Sequence, residues 1–311
     1  MNTGYDVICM GENCIDVIFK VEGRIDRGRN HLCSALNMLP GGTGVNFAIA
    51  ASRLGLKTEL VTTIGIDNFG EDIRAVLERE GVSVQRGARS ARPTAMIFAV
   101  VDEDGEKTTM AFIHDTAYED MSEVSMKEAR AFYLSGGLLT SERCAQIGLD
   151  SMKSARKKGM KVFFDPQPRI GEHIEHFYEW AEGCIENSDV LFMTDWELKL
   201  LRGSDTERAM SDLLERLEVV CVKTGDEGCT VCSHGLVKKI PPFRVEAVST
   251  LGCGDVFNAA FIRAYLSGSS AEAAGLFANR AAALNSMALG VINGAPYINE
   301  VDESEGDAES G

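Results

Sequence analysis

Short apolar runs alternate with longer segments of helical period along most of this chain, and that alternation restricts its fold more than any other feature. Runs at 6–10, 161–164 and 219–223 have the length and residue types of buried strands. Parallel strands need a crossover connection, which is usually a helix, and such helices cover both faces of the sheet. The sequence therefore predicts an α/β fold with a mainly parallel central sheet between two helical layers.

One region interrupts this alternation and predicts a smaller sheet. Residues 94–101 and 107–113 are apolar runs joined by a charged, glycine-containing turn, which is the pattern of a β-hairpin. A hairpin between parallel strands usually leaves the main sheet, and the mixed segment near the start of the chain also suits short strands. We therefore expect a small β-sheet lid whose strands lie roughly within 17–38 and 93–115.

Composition and charge narrow the classes of partner. The chain has 311 residues with 31 Lys and Arg against 47 Asp and Glu, and the resulting net charge of −16 argues against nucleic acid or an anionic membrane. No apolar run approaches the ~18 residues that a membrane span needs. The nine scattered cysteines indicate a reducing compartment, so we expect a cytoplasmic protein. Cys229 and Cys232 form a lone C-x-x-C pair in an alternating run, which favours a strand over a metal site.

The strand and helix pattern extends over residues 1–298, which we expect to form one domain that includes the lid. Residues 299–311 are acidic, polar and nearly devoid of apolar side chains. A segment of that composition buries too little apolar surface to offset the loss of chain entropy, so it is expected to be a disordered tail.

The stretch from Ser249 to Phe257 carries the most specific chemical signal. Gly252 and Gly254 flank Cys253, Asp255 follows at once, and an apolar helical segment comes next. Glycines let successive N–H groups point into one concavity, and a following helix adds its free N–H groups and the positive end of its dipole. Such a place binds anions, above all phosphate. Asp255 then has two interpretations, a general base beside a phosphate or merely the N-cap of the helix.

A second glycine-rich turn, Gly41 to Gly44, precedes another helix. Three glycines in four positions indicate a close backbone approach, either to a ligand or to another part of the chain. Asn46 suits a ligand hydroxyl or a helix cap, and Asp16 suits a polar pocket or a solvated edge. The segment Asp165 to Arg169 follows a predicted strand and contains two prolines, so it is either a wall of a site or a rigid connection.

Taken together, these motifs resemble those of the ribokinase-like (PfkB-type) carbohydrate kinase family over residues 5–297. Residues 41–55 are similar to the first signature of the family, and residues 250–257 are similar to the second, usually written D-T-x-G-A-G-D. Either glycine pattern alone is weak, but both in this order are specific. The resemblance implies a three-layer αβα ribokinase-like fold with a β lid, and ATP-dependent phosphorylation of a sugar hydroxyl.

The resemblance also implies roles for individual residues. Asp255 would be the catalytic base, and the transferring phosphate would lie in an anion hole formed by the amides of Gly252, Cys253 and Gly254. Sugar binding would fall to Asp16, Gly41, Gly42, Asn46 and Arg169. ATP would contact Thr224, Gly225, Gly228 and Asn279, and Mg²⁺ would be organised by Glu197. Further implied features are a K⁺ site and a homodimer joined through the β lid.

Several positions depart from the family pattern. Ser249 stands where aspartate is usual, Leu251 replaces a small or hydroxyl residue, and Cys253 replaces alanine. Gln167 and Thr194 each replace asparagine. None of these changes touches Asp255 or its two glycines, so we expect catalysis. The alternatives are a nucleoside or vitamin kinase of the same fold, and a kinase-like binding or scaffold protein with weak catalysis. A dinucleotide-binding oxidoreductase ranks last, because the glycine after the first strand lacks the following G-x-x-G.

Overall fold

The computed structural model describes residues 4–25, 28–84, 89–102, 107–113, 126–168, 174–233 and 235–302. In those ranges the strands are β1 Tyr5–Met10, β2 Cys14–Val21, β3 Cys33–Gly41, β4 Thr58–Val61, β5 Ile64–Gly65, β6 Ser83–Val84, β7 Arg89–Ser90, β8 Met96–Val101, β9 Lys107–Phe112, β10 Ala129–Ser135, β11 Lys161–Asp165, β12 Val190–Thr194, β13 Val219–Lys223, β14 Cys229–Ser233 and β15 Leu236–Ile240. The helices are α1 Thr43–Arg53, α2 Asn68–Arg79, α3 Glu142–Lys157, α4 Ile174–Glu186, α5 Asp195–Arg202, α6 Thr206–Leu214, α7 Cys253–Leu266, α8 Ala271–Ser286 and α9 Val291–Gly294.

The main sheet has nine strands in the order β15-β14-β13-β12-β11-β10-β1-β4-β6. All pairings from β13 to β6 are parallel, whereas β14 and β15 form an antiparallel hairpin at one edge. The mainly parallel sheet predicted from the alternation is therefore confirmed. Parallel order brings the carboxyl ends of its strands to one edge, where α/β proteins bind their ligands.

Two hydrophobic cores lie on opposite faces of this sheet. Successive strand residues alternate between them, so that Tyr133 joins the core under α1, α2, α7 and α8 while Phe132 joins the core under α3, α4, α5 and α6. This period of two is what a strand covered on both faces requires. The three-layer αβα arrangement is thus confirmed. Among the described helices, none combines the length and apolar character needed to cross a lipid bilayer.

A separate four-stranded sheet has the order β3-β2-β8-β9. Strands β2 and β8 pair in parallel, and both outer pairs are antiparallel. Its strands extend further toward the main domain than the predicted range 17–38, since β2 begins at Cys14 and β3 ends at Gly41. This extension places Asp16 opposite Leu39 within the small sheet, which we call the lid.

The predicted start of the C-terminal tail is wrong. Residues 298–302 are helical, and Val301 is fully buried. The carbonyl oxygen of Val301 accepts a hydrogen bond from Nη1 of Arg280 at 3.4 Å. The buried Val301 side chain and this hydrogen bond thus hold the segment against α8. Residues 303–311 lie outside the described part of the chain.

Candidate active site

Helix α7 begins at the predicted anion hole. Its N-cap is Gly252, whose φ of 76° lies in the left-handed region, and a Cβ at this position would lie 2.2 Å from Cγ2 of Val291. Gly254 faces open space instead, since the nearest atom to a Cβ built there is Nζ of Lys223 at 3.7 Å. The Cys253 N–H donates to the Thr250 carbonyl at 3.2 Å, so that amide already has a partner.

Asp255 is the third residue of α7, and its side chain does not cap the helix. The helix has no side-chain cap hydrogen bond, so the interpretation of Asp255 as an N-cap is wrong. Its carboxylate is buried and accepts a hydrogen bond from Nδ2 of Asn46 at 2.9 Å and one from Nε2 of Gln167 at 3.3 Å. The carboxylate is therefore held by two amides at the N-terminus of a buried helix.

The environment of Asp255 changes its acidity. Burial raises the pKa of its carboxyl from 3.8 to about 7, and the charges of Asp165 and Glu12 act in the same direction. The hydrogen bond from Asn46 and the charge of Lys223 oppose this rise in pKa. A carboxylate with a pKa near neutrality can accept a proton from a hydroxyl and release it again at physiological pH. The geometry thus suits a general base.

The start of α1 is packed against the end of β1. A Cβ on Gly42, whose φ is 90°, would lie 2.7 Å from Cα of Asn13, and a Cβ on Gly44 would lie 2.5 Å from the carbonyl carbon of Gly11. A Cβ on Gly41 would meet Oδ2 of Asp16 at 2.1 Å. Gly42 and Gly44 therefore allow two backbone segments to meet, while Gly41 leaves room for the Asp16 carboxylate, which is buried at the root of the lid.

Several polar side chains near Asp255 are joined by hydrogen bonds, and none of them was predicted as a site residue. Oγ of Ser135 donates to Oε1 of Gln167 at 2.9 Å and approaches Oε2 of Glu12 at 3.3 Å, and it also pairs with the Thr43 hydroxyl. Gln167 has a φ of 44°, a positive value that no other non-glycine residue in the described ranges adopts. Such backbone strain collects at functional sites. These residues connect the ends of β1, β10 and β11 to the carboxylate of Asp255.

A second group of buried polar residues surrounds Asp165 at the end of β11. Oδ2 of Asp165 is paired with Nζ of Lys223 at 2.7 Å and accepts from Nδ2 of Asn258 at 2.6 Å. Asn258 also contacts the Tyr133 hydroxyl at 3.1 Å. Lys223, Asn258 and Tyr133 were not among the predicted site residues. Their only local signal was a polar residue within or at the end of an apolar segment.

A cavity of about 360 Å³ opens beside the N-terminus of α7. Among its lining residues are the predicted nucleotide residues Gly225, Gly228 and Asn279, together with Gly254 and Lys223. Thr224 lies on a neighbouring cavity instead, and its N–H donates to the Gly228 carbonyl at 2.9 Å. Nδ2 of Asn279 donates to the Pro241 carbonyl at 3.0 Å, so this amide also fixes the cavity wall.

Glu197 lies in the first turn of α5, directly after the end of β12. It forms a capping box with Thr194, in which the Thr194 N–H donates to the Glu197 carboxylate at 2.5 Å. Burial, and next the charge of Asp165, raise the pKa of Glu197, while Lys223 lowers it. Thr194 thus has a defined structural role at the position where the family usually has asparagine. Arg169 lies outside the described residues.

The donor set is compatible with Mg²⁺ bound jointly with a nucleotide. Within the described ranges, no group of three or more His, Cys, Asp or Glu side chains could hold a metal on its own. Mg²⁺ bound with ATP usually takes only one or two protein carboxylates, and substrate phosphates and water complete its shell. Glu197 would supply one such carboxylate, and Oδ1 of Asp165 is a buried oxygen with no hydrogen-bond partner. The residues therefore fit such an ion.

Comparisons with known proteins show the family of this chain. Residues 5–297 match the model of the pfkB family carbohydrate kinase. Fructokinase-2 of Solanum lycopersicum is 30% identical over 275 residues, which cover 82% of this chain and 80% of that protein. Fructokinase-1 of Oryza sativa subsp. japonica is 28% identical over 319 residues, which cover 95% and 96%.

Solved structures give the same assignment of fold. A ribokinase from Thermotoga maritima aligns with a TM-score of 0.77 and 25% identity over 96% of this chain and 98% of that one. A fructokinase with bound ATP from Xylella fastidiosa aligns with a TM-score of 0.78 and 20% identity over 97% and 98%. The family model and the curated relatives together define a sugar phosphotransferase. The chain belongs to the pfkB family of carbohydrate kinases, and it is an ATP-dependent sugar kinase.

Proposed function

We propose that this kinase transfers the terminal phosphate of ATP to a hydroxyl of a free ketohexose, with fructose as the first candidate and Asp255 as the general base. The observation that carries the mechanism is the Asp255 carboxylate, which is buried at the N-terminus of α7 with a pKa of about 7. Fructose is suggested by the relatives, which are named as fructokinases. The proposed class of reaction does not depend on that choice of sugar.

In this mechanism Asp255 removes the proton of the attacking hydroxyl. As that proton moves to the carboxylate, the hydroxyl oxygen forms a bond to the terminal phosphorus, and the bond from that phosphorus to the bridging oxygen of ADP breaks. Asn46 and Gln167 hold the carboxylate in place through their amide N–H groups. The N-terminal amides of α7 offset the negative charge on the transferring group.

The sugar lies between the lid and the start of α1 in this proposal. Asp16 on β2 accepts hydrogen bonds from sugar hydroxyls, and Asn46 on α1 exchanges hydrogen bonds with them through its amide. Gly41 and Gly42 let the two elements approach each other. Asn46 also contacts Asp255, so the same residue would bind the sugar and hold the general base in place. Arg169 is proposed as a further sugar contact.

The nucleotide occupies the cavity beside α7, along Gly225, Gly228 and Asn279, and extends to Thr224 on the neighbouring cavity. Glu197 is proposed to hold Mg²⁺, which would neutralise the phosphate charge. We also propose a K⁺ site with only a weak effect on activity. At position 249 serine replaces the usual carboxylate, and its Oγ accepts the Leu251 N–H at 3.2 Å. We therefore expect turnover to change only slightly when choline replaces K⁺ in an activity assay.

The lid also supports a proposed homodimer. Leu36, Met38, Met110 and Phe112 lie on the two outer strands of the lid and are exposed, although each is apolar. A second lid is the partner that would cover these side chains in this proposal, and sedimentation velocity tests it. We further propose a cytoplasmic location, which agrees with nine cysteines that all lie in the described ranges and form no disulfide there.

Turnover on a panel of acceptors tests the proposed function. ADP release is measured with ATP and Mg²⁺ against fructose, other hexoses, pentoses, sugar acids and nucleosides, for the natural chain, Asp255→Asn and the exposed control Asp72→Asn. We expect turnover on fructose that falls at least ~10²-fold in Asp255→Asn and is unchanged in the control.

Three outcomes would contradict parts of the proposal. Full turnover by Asp255→Asn would remove Asp255 as the base. Saturable ATP binding without turnover on any acceptor would favour the binding or scaffold protein, whereas turnover on nucleosides alone would replace the sugar by the second candidate class.

A further inference from the structure

Lys223, the last residue of β13, has no role in the function proposed so far, yet it lies between the buried carboxylates and the nucleotide cavity. We propose that Lys223 is a further catalytic residue, whose ammonium group contacts the phosphoryl group during transfer. This inference rests on the proposed function, because it uses the same location for the terminal phosphate. Three observations carry it, namely how the ammonium group is held, what it faces, and which charges surround it.

The ammonium group of Lys223 is held in place by two acceptors. Nζ lies 2.7 Å from Oδ2 of Asp165 and 3.3 Å from Oδ1 of Asn258. Asn258 is fixed in turn, because its Nδ2 contacts Asp165 at 2.6 Å and the Tyr133 hydroxyl at 3.1 Å. An ammonium group has three N–H bonds, so after these two contacts it can still donate to a ligand. A lysine that only neutralised Asp165 would not need the second hydrogen bond to Asn258.

The same ammonium group faces the predicted anion hole. Lys223 and Gly254 both line the cavity of about 360 Å³, as do Gly225 and Asn279. A Cβ built on Gly254 would lie 3.7 Å from Nζ, with nothing nearer to it. A phosphate oxygen bound at the first turn of α7 therefore lies within reach of Nζ without movement of the backbone.

The surrounding charges explain why a cation is needed here. Asp165, Glu197 and Asp255 are all buried at this edge of the sheet. These carboxylates would repel the terminal phosphate of ATP, since interactions between charges are strong where water is excluded. Their negative charges also raise the pKa of Lys223 despite its burial, so the side chain stays an ammonium ion. Lys223 thus offers the incoming phosphate a positive charge within an acidic site.

The competing explanation is that Lys223 only neutralises Asp165. A cycle of Lys223→Met, Asp165→Asn and the double variant separates the two roles, because Asp165→Asn removes the charge that a structural lysine would serve. We expect Lys223→Met to lower kcat about 10²-fold, as removal of one transition-state donor does, both in the natural chain and in the Asp165→Asn background. A loss below about threefold in the Asp165→Asn background would overturn the proposal.

The double variant also guards against misfolding. Lys223→Met alone leaves Asp165 without its cation and can destabilise the fold, whereas the double variant removes both charges of this pair together. The comparison of Asp165→Asn with the double variant therefore decides the question even when the single lysine variant is unfolded. Lys223→Arg keeps the positive charge, and we expect it to recover part of kcat.

Nucleotide affinity gives a readout that a structural role would not change. Calorimetry with Mg²⁺ compares ADP with a non-hydrolysable ATP analogue on Asp165→Asn and on the double variant. A contact to the transferred group predicts about tenfold weaker binding of the analogue and an unchanged affinity for ADP. Equal weakening of both nucleotides would contradict the contact. Asp255→Asn separately tests the base, so failure of the proposed function would not be mistaken for failure at Lys223.

Discussion

Helices α1 and α7 both begin at glycine-rich turns, yet the two turns use their glycines in different ways. In α1, Gly44 lies against the backbone of Gly11, and its N–H donates to the Glu12 carbonyl at 3.0 Å. In α7, Gly254 occupies the same place, two residues after the N-cap, and faces a cavity instead of backbone. The first turn joins two elements of the fold, and the second leaves helix amides accessible to an anion.

This difference shows what a glycine pattern means before the structure is known. In both turns glycine removes a side chain from the path of another group. Whether that group is the protein backbone or a ligand depends on the element that lies opposite. Opposite α1 is the end of β1, and opposite α7 is the cavity that Lys223 also lines. Asn46 connects the two turns through its hydrogen bond to Asp255.

The largest predicted effect on stability falls at the packed turn. In Gly44→Ala, the new Cβ would lie 2.5 Å from the carbonyl carbon of Gly11, which cannot move without shifting β1. We expect the free energy of unfolding to fall by about 3 kcal/mol, measured by urea denaturation. Gly55→Ala is unsuitable as a control because of its positive φ, so Gly254→Ala serves. Equal stability of the two alanine variants would contradict the difference between the packed turn of α1 and the open turn of α7.

The second prediction concerns the pH dependence of stability. Folding raises the pKa of Asp255 from 3.8 to about 7, so between these values the folded state binds a proton that the unfolded state lacks. Its contribution to stability is therefore present at low pH and lost as pH rises through 7. From pH 5 to pH 8, Asp255→Asn should gain about 3 kcal/mol relative to the natural chain. Parallel stability curves for the two proteins would contradict the raised pKa.

The third prediction tests the contact between the two turns. Asn46→Ala removes a hydrogen bond that favours the ionised form of Asp255, so its pKa should rise further by about one unit. The acidic limb of the profile of kcat against pH should therefore shift to higher pH by the same amount. Ser52→Ala, a change on the same helix far from the carboxylate, provides a control for α1. An unmoved limb in Asn46→Ala would show that the limb does not report Asp255.

The smallest predicted effect on stability belongs to the open turn. Gly254→Ala places a methyl group 3.7 Å from the end of a lysine side chain, and alanine is also the better helix former. We expect the free energy of unfolding to change by less than about 1 kcal/mol. Turnover should still fall about tenfold, because the methyl group enters the space for the phosphate. Full activity in Gly254→Ala would place the phosphate elsewhere.

Much of the fold could be predicted because its signals are local. The hairpin of β8 and β9 follows from two apolar runs and a turn, and the parallel sheet follows from the alternation of strands with helices. The family and the sugar kinase activity were predicted from two glycine motifs and are confirmed. The assigned roles of the site residues stay predictions. The start of the tail was wrong because composition gave no weight to one buried valine at 301.

The sequence by itself determined the three-layer arrangement of this protein and the glycine-rich starts of α1 and α7, since periodicity and glycine content act within a few neighbouring residues. Only the tertiary structure decided that Asp255 is no cap, that its pKa lies near 7, and that Lys223 faces the same cavity as Gly254. These properties depend on burial and on groups from distant strands. No local sequence pattern indicates these contacts, because they form only when the sheet brings the strand ends together.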